Sequence, residues 1–198
     1  MLELYLIRHG ETEFVRAGKY GGWTDIPLNG RGRRQAMALR RRLRSVRPDA
    51  VYSSDLRRSM ETAALALPKM AGRIRKSRLL RELRFGEWEG LTYKEISRRC
   101  KRLYARWLRD PASCAPPGGE TLLQLQRRIR AFMKKLGSGR RDRRVAVFSH
   151  GGPIRMILCG AVGAPLRSFF RFAVRPAGVS IVEVHGATAR VMAVNGLC

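Results

Sequence analysis

Short apolar runs of strand length alternate along this 198-residue chain with longer segments in which apolar residues recur at helical spacing. This alternation is the pattern of a central sheet that is covered by helices on both faces. We therefore predict an α/β fold, a three-layer sandwich with a mostly parallel central sheet. The length is enough for one sizeable core, so we expect a single domain over residues 1–198.

Five strand-like runs and five helix-like segments carry this pattern, together with one weaker run. The predicted strands are Leu2–Ile7, Ala50–Ser53, Val145–Ser149, Val179–Val184 and Arg190–Val194, with the weaker one at Arg73–Ser77. The predicted helices are Gly30–Val46, Asp55–Leu67, Thr92–Leu108 with a break inside it, Glu120–Leu136 and Pro153–Val162. Thr92 and Glu95 have the spacing of a capping box at the start of the third helix.

Two of the three histidines directly follow predicted strands, His9 in "LIRHGET" and His150 in "VAVFSHGGP". Pro153 suits the first turn of a helix, so free N–H groups at the helix start, that of Gly151 included, would favour an anion beside His150. Open α/β sheets bind ligands at the carboxyl ends of their strands. The two patterns therefore predict an oxyanion pocket at that edge, although each histidine alone could equally be a buried structural residue.

The formal net charge of +26 comes from 41 lysines and arginines against 15 acidic residues. Such an excess allows binding of nucleic acid or of small anionic substrates. Arginines on solvated helix faces are the simpler explanation, because Ala36, Leu39 and Leu43 keep helical spacing while arginines fill the positions between them. No aromatic residues accompany the arginines as a single-strand binder would require, so we do not expect a nucleic-acid partner.

The four cysteines, Cys100, Cys114, Cys159 and Cys198, show no CxxC or His-Cys spacing. We interpret them as free thiols, and we expect neither a metal site nor a cofactor. No apolar run approaches the roughly 20 residues of a membrane span, and the apolar start "LELYLI" lacks the basic region of a signal peptide. We therefore expect a cytoplasmic location and no membrane partner.

Six blocks of the chain, taken in order, resemble those of the histidine phosphatase superfamily, which has the phosphoglycerate-mutase-like fold. The blocks are "RHGET", "GWTDIPLNGRGRRQA", "SSDLRRSMETA", "LRELRFGEWEG", "PPGGET" and "SHGGPIR". The resemblance covers nearly the whole chain, and six ordered matches are far more specific than one. It implies a single histidine phosphatase domain that hydrolyses phosphomonoesters through a phosphohistidine intermediate.

The same resemblance implies that His9 is the nucleophile and that Arg8, Arg58 and His150 bind the phosphoryl group. These residue types suit the reaction, because a transferring phosphoryl group requires positioned positive charge around its equatorial oxygens. A planar guanidinium can donate two hydrogen bonds to phosphate, which lysine cannot do. Arg8 would also disfavour protonation of His9, which must be neutral at one nitrogen to attack phosphorus.

Glu82, in "RELRFGEWEG", matches the proton donor of the superfamily. It would protonate the leaving alkoxide and later activate water, although Glu87 and Glu89 lie close enough in sequence to be alternatives. Thr12, Gly21 and Gly151 are further candidates for contact with the substrate. Thr12 either orders the loop around His9 or touches the phosphate directly.

Two positions depart from the superfamily pattern, Val15 where asparagine is usual and Gly21 where glutamine is frequent. Each departure removes a polar contact near the phosphate.

Residues 90–120 form a segment shorter than the insertion of cofactor-dependent phosphoglycerate mutases, and they resemble the α-ribazole phosphatases of cobalamin biosynthesis. The expected substrate is α-ribazole 5′-phosphate or a broad range of sugar and nucleotide phosphates. A phosphoglycerate mutase is the alternative enzyme, and a basic nucleic-acid-binding module is the alternative that is not an enzyme.

Overall fold

The computed structural model describes residues 1–137 and 143–196, and a six-stranded sheet runs through them. Its strands are β1 (Leu2–Arg8), β2 (Ala50–Ser53), β3 (Arg75–Lys76), β4 (Arg143–Ser149), β5 (Val179–His185) and β6 (Thr188–Gly196). Their order across the sheet is β3-β2-β4-β1-β5-β6. The pairs β1–β4, β2–β4 and β2–β3 are parallel, whereas β5 is antiparallel to both β1 and β6. The predicted α/β fold with a mostly parallel sheet is confirmed.

Helices cover both faces of this sheet. They are α1 (Glu13–Arg16), α2 (Gly30–Arg42), α3 (Arg57–Ala66), α4 (Tyr93–Arg99), α5 (Lys101–Arg109), α6 (Leu122–Gly137) and α7 (Gly151–Ala161). Short 3₁₀ turns lie at Pro68–Arg73, Arg78–Leu80, Gly86–Trp88 and Leu166–Arg171.

Alternate side chains of β1 enter two separate cores, as the two-residue period of a strand requires. Leu4 and Leu6 pack into the core that α5, α6 and α7 share. Tyr5 and Ile7 pack into the core beneath α2 and α3. The three-layer arrangement therefore follows directly from a strand that is apolar on both faces.

Several predicted boundaries differ from the structure. Helix α2 ends at Arg42 rather than Val46, because the chain turns before Pro48, with Arg47 at a φ of 43°. Only two residues of the weak strand pair in the sheet, since the 3₁₀ turn Pro68–Arg73 occupies the segment before them. The one-turn helix α1 is too short for any periodicity to reveal it.

The other helices agree more closely with their predicted positions. The expected break within residues 92–108 lies at Cys100, and the Thr92–Glu95 capping box is present. Helix α3 spans Arg57–Ala66 and α6 begins at Leu122, each within two residues of prediction. Helix α7 begins at Gly151, two residues before Pro153, with His150 as its N-cap residue.

Cys100, Cys114 and Cys159 are free thiols, as predicted, and Cys198 lies outside the described residues. Within residues 1–137 and 143–196, no helix is long and apolar enough to cross a membrane. In the same ranges, no three histidine, cysteine or acidic side chains form a group that could hold a metal ion.

Candidate active site

A cavity of about 350 Å³ opens at the carboxyl edge of the parallel strands. Six of the residues predicted from the sequence line it: Arg8, His9, Thr12, Gly21, Arg58 and Glu82. The other two, His150 and Gly151, are buried and are not among its lining residues. The register explains this convergence, because Arg8 at the end of β1 pairs with Ser149 at the end of β4.

His9 follows β1 with only 3% of its surface exposed. Its Nδ1 lies 2.7 Å from the carbonyl oxygen of Gly10. Because a carbonyl oxygen can only accept, Nδ1 carries the ring proton and donates a hydrogen bond to this oxygen. Nε2 is then the basic nitrogen. Gly10 packs so tightly against helix α2 that a Cβ atom there would lie 2.5 Å from the carbonyl oxygen of Gly32. Only glycine therefore fits the position after His9.

The surroundings of His9 keep its imidazole neutral. Burial is the largest cause, and the positive charges of Arg58 and Arg8 add to it, so that the pKa of His9 lies well below its usual value. Arg8 does disfavour protonation, as the sequence predicts, but burial and Arg58 have the larger effects.

The two arginines are fixed by backbone carbonyl groups. Arg58 is 2% exposed and donates through Nη1 to Thr24 and through Nη2 to Gly22, at 2.8 and 2.7 Å. Arg8 donates through Nη1 to the carbonyl of Val174 at 2.6 Å, and its buried Nε has no hydrogen-bond partner among the described residues. Burial lowers the pKa of both guanidiniums. That of Arg58 falls to about 10, so Arg58 stays charged at neutral pH.

His150 lies behind His9, where the two rings meet edge-on with their centroids 5.0 Å apart. Its Nε2 lies 2.9 Å from the hydroxyl oxygen of Ser54, while its buried Nδ1 has no hydrogen-bond partner in the described part of the chain. Burial, followed by the charge of Arg58, lowers the pKa of His150 well below its usual value. An unpartnered buried nitrogen is costly unless a ligand satisfies it.

Glu82 reaches the cavity from the loop that follows Leu80. Its Oε1 accepts hydrogen bonds from the backbone N–H groups of Leu83 and Gly152, at 2.8 and 2.9 Å. A Cβ atom on Gly152 would lie 2.2 Å from this oxygen, so the second glycine of "SHGGP" is required for the contact. With Oε1 held by two donors, Oε2 is the oxygen available for proton transfer.

The structure separates Glu82 from its two sequence alternatives. Glu87 is exposed, and Glu89 accepts hydrogen bonds from the backbone N–H groups of residues 23, 24 and 85. Neither of them lines the cavity.

Thr12 caps helix α1 by accepting a hydrogen bond from the N–H of Val15 at 3.2 Å, so it orders the loop beside His9 as well as lining the cavity.

The sequence profile of the histidine phosphatase superfamily (branch 1) matches residues 4–196. The chain belongs to the histidine phosphatase superfamily. Members of this superfamily hydrolyse phosphomonoesters through a phosphohistidine, and the chain is accordingly a phosphatase.

Individual relatives align over almost the full length. Phosphoserine phosphatase 1 of Hydrogenobacter thermophilus is 30% identical, over 100% of this chain and 94% of the relative. Adenosylcobalamin/α-ribazole phosphatase of Escherichia coli K12 is also 30% identical, over 96% of this chain and 95% of the relative. The crystal structure of the α-ribazole phosphatase from Shigella flexneri superposes with a TM-score of 0.90 at 28% identity, covering 98% and 96% of the two chains.

Within this histidine phosphatase, one arginine that the sequence analysis missed holds the loop of Glu82 in place. Arg128 on α6 donates to the backbone carbonyls of Leu79, Arg81 and Glu82, at 2.8, 2.5 and 2.8 Å. Its guanidinium also pairs with Glu120 at 2.9 Å. Glu120 lies in the "PPGGET" block, so its position in a family motif could have drawn attention to it. Nothing in the sequence distinguishes Arg128 from the many other arginines.

Proposed function

We propose that His9 Nε2 attacks the phosphorus atom of a bound phosphomonoester and that Glu82 acts first as general acid and then as general base. As the new P–N bond forms, the bond from phosphorus to the ester oxygen breaks, and Glu82 Oε2 gives its proton to the departing alkoxide. The ionised Glu82 then takes a proton from water. The resulting hydroxide attacks phosphorus, the P–N bond breaks, and inorganic phosphate leaves while Glu82 is again protonated.

One observation supports this assignment above the others: a neutral, buried imidazole with its Nδ1 proton committed to Gly10 lies beside two charged guanidiniums. Among the described residues, neither Arg8 nor Arg58 forms a salt bridge with a carboxylate. Their charges therefore stay available for a phosphoryl group, whose transition state they would stabilise. His150, whose buried Nδ1 has no hydrogen-bond partner among the described residues, would add a further donor to the phosphoryl group.

As substrate we propose α-ribazole 5′-phosphate, with a broader set of sugar and nucleotide phosphates as the less specific form of the same activity. The names of the relatives from Escherichia coli and Shigella flexneri support this choice. The cavity volume of about 350 Å³ is within the usual size of small-molecule sites.

A phosphate-release assay in the presence of EDTA tests the proposal directly. α-Ribazole 5′-phosphate, phosphoserine, ribose 5-phosphate, a nucleoside monophosphate and 3-phosphoglycerate are compared at equal concentrations. We expect hydrolysis to persist in the chelator, because arginines and histidine supply the positive charge that a metal would otherwise provide. Activity that disappears in EDTA and returns with a divalent ion, or isomerisation of 3-phosphoglycerate without phosphate release, contradicts the proposal.

A further inference from the structure

The outer half of the cavity differs in chemistry from the phosphate-binding end. Its wall is apolar and largely aromatic, and it is formed by Phe14, Tyr20, Phe85, Trp107, Leu108 and Phe170. Val15 and Gly21, the two positions that depart from the superfamily pattern, also line the cavity and bring no polar side-chain group to it. The departures thus make the cavity less polar.

The base of this wall is a cluster of packed aromatic rings around Trp107. Trp107 is 2% exposed and stacks on Tyr104, with ring centroids 5.9 Å apart and planes 14° from parallel. It also meets Tyr20, Phe85 and Phe170 edge-on, with ring centroids separated by 6.3, 6.2 and 5.7 Å. Aromatic edges and faces held in this way form a preformed surface for another ring.

The rim of the wall is apolar but exposed to water. Phe170 is 48% exposed and Leu108 is 54% exposed, and both line the cavity. Clustered exposed apolar side chains beside a cavity are typical of a ligand-binding surface. A bound apolar group would cover them.

The positive charges around the cavity disfavour leaving groups that carry an ammonium. Lys19 and Arg155 line it in addition to the two phosphate-binding arginines, and Glu82 is the one carboxylate among the described lining residues. Its Oε1 accepts hydrogen bonds from two backbone N–H groups, and in the reaction proposed above its Oε2 carries the proton for the leaving group, so Glu82 offers no negative charge to the substrate that binds. A leaving group that carries an ammonium would therefore meet like charges and no free carboxylate, which is unfavourable for binding.

We propose that the outer half of the cavity is a subsite for a flat aromatic leaving group without positive charge. This inference rests on the phosphatase function proposed above and narrows its substrate class. Among the substrates named for the relatives, it favours α-ribazole 5′-phosphate, whose ribose carries a benzimidazole ring, over phosphoserine, whose leaving group carries an ammonium.

Three primary alkyl phosphates test the subsite, since their reacting ends are alike. They are 2-(1-naphthyl)ethyl phosphate, n-butyl phosphate and 2-aminoethyl phosphate. We expect kcat/KM for the naphthyl compound to exceed that of the butyl compound by about tenfold, which corresponds to one good aromatic contact. The aminoethyl compound is expected to fall below butyl by a similar factor. Equal kcat/KM values for all three overturn the subsite while leaving the phosphatase function intact.

Variants connect these ratios to named residues. Phe170→Ala is expected to reduce the naphthyl-to-butyl ratio to near one, and Leu108→Glu to raise the aminoethyl-to-butyl ratio about tenfold by supplying the missing carboxylate. Met192→Ala, which removes a side chain that is 56% exposed on β6, is the control and should change neither ratio. Unchanged ratios in Phe170→Ala and Leu108→Glu overturn the assignment.

Equilibrium binding of the same compounds to His9→Ala separates this inference from turnover. The order naphthyl, butyl, aminoethyl in affinity is expected there too. If the native chain hydrolyses none of the compounds but His9→Ala keeps this order, the proposed function fails and the subsite survives. Loss of the order in binding overturns the subsite whatever the native chain hydrolyses.

Discussion

Arg58 and Arg44 show how differently one residue type behaves at the carboxyl edge of the sheet and on the outer surface. The guanidinium of Arg58 is buried and held by two backbone carbonyls, with a lowered pKa. Arg44, just beyond the end of α2, is exposed to solvent. A cation in water is already well solvated, whereas a buried cation without a carboxylate partner gains strongly from an anion. The net charge of +26 is therefore a poor guide to where phosphate binds.

The acidic and histidine side chains repeat this contrast. Glu82 lines the cavity and is fixed by two N–H donors, while Glu87 is exposed. His150 is fully buried, whereas the side chain of His185, at the end of β5, is 48% exposed. Arginine, glutamate and histidine thus each occur both in the site and on the surface, so a substitution in the site can be compared with the same substitution outside it.

The largest effect is expected from Glu82→Gln, with Glu87→Gln as its control. An alkyl alcohol must be protonated as it leaves, so burst formation of phosphoenzyme from an alkyl phosphate should slow by about 10²–10⁴-fold. p-Nitrophenolate leaves with little help, so the burst from p-nitrophenyl phosphate should slow much less. Glu87→Gln should match the native chain in both. Equal slowing of the two substrates by Glu82→Gln rejects the proton-donor role.

Arg58→Met comes next, because it removes one preorganised source of positive charge from the phosphoryl group. We expect kcat/KM to fall by about 10²–10³-fold, the effect of losing one transition-state donor. Arg44→Met should stay within about twofold of the native value, since its charge is in solvent. Arg58→Lys, which keeps the charge but not the planar fork, should lie in between. Similar kcat/KM values for Arg58→Met and Arg44→Met would remove the distinction between the two arginines.

The smallest expected effect is on the pH dependence of the free energy of unfolding. The folded pKa values of His9 and His150 lie below the unfolded value near 6.5, so the unfolded chain binds more protons as the pH falls. The contribution of each neutral histidine to the free energy of unfolding is therefore complete well above pH 6.5 and declines as the pH falls through 6.5, with a slope that approaches about 1.4 kcal/mol per pH unit. Denaturant unfolding between pH 7 and 5 measures this slope.

Asparagine variants test which histidine causes the change of the free energy of unfolding with pH. His150→Asn should make the slope shallower by about half of the histidine contribution, and His185→Asn, at a side chain that is 48% exposed, is measured beside it as the matched surface substitution. Because the slope and not the absolute stability is compared, a general loss of stability in His150→Asn does not obscure the result. A native slope that His150→Asn leaves unchanged contradicts the buried neutral histidine.

The sequence predicted those parts of the fold and site that depend on local pattern and on strand direction. Six of the predicted site residues line the cavity, and the parallel pairing of β1, β2 and β4 brings the motifs "RHGET", "SSDLRRSMETA" and "SHGGPIR" to one edge. Their roles in the reaction remain proposals. The boundary at Arg42 was missed because helical periodicity continues to Val46, while the turn before Pro48 ends the helix.

Features that arise from tertiary packing could not be predicted. Arg128 donates hydrogen bonds to three backbone carbonyls of a loop that is distant in sequence, and no residue spacing in the sequence predicts these contacts. Trp107 and Phe170 meet only because α5 and the turn Leu166–Arg171 converge at the cavity, although they are far apart in sequence. The resemblance favours Glu82 over Glu89, but the residues alone do not separate them, and the physical difference between the two carboxylates lies in their hydrogen bonds.

Rapid quenching after mixing with a ³²P-labelled phosphomonoester shows whether His9 carries the phosphoryl group during the reaction. We expect label on the native chain that is stable to base and labile to acid, as a phosphoramidate bond is, and that is located on the peptide containing His9. Arg44→Met should retain this label, and His9→Ala should lack it. Label on a serine or aspartate, or label on His150 that persists in His9→Ala, would contradict the assignment of His9 as the nucleophile.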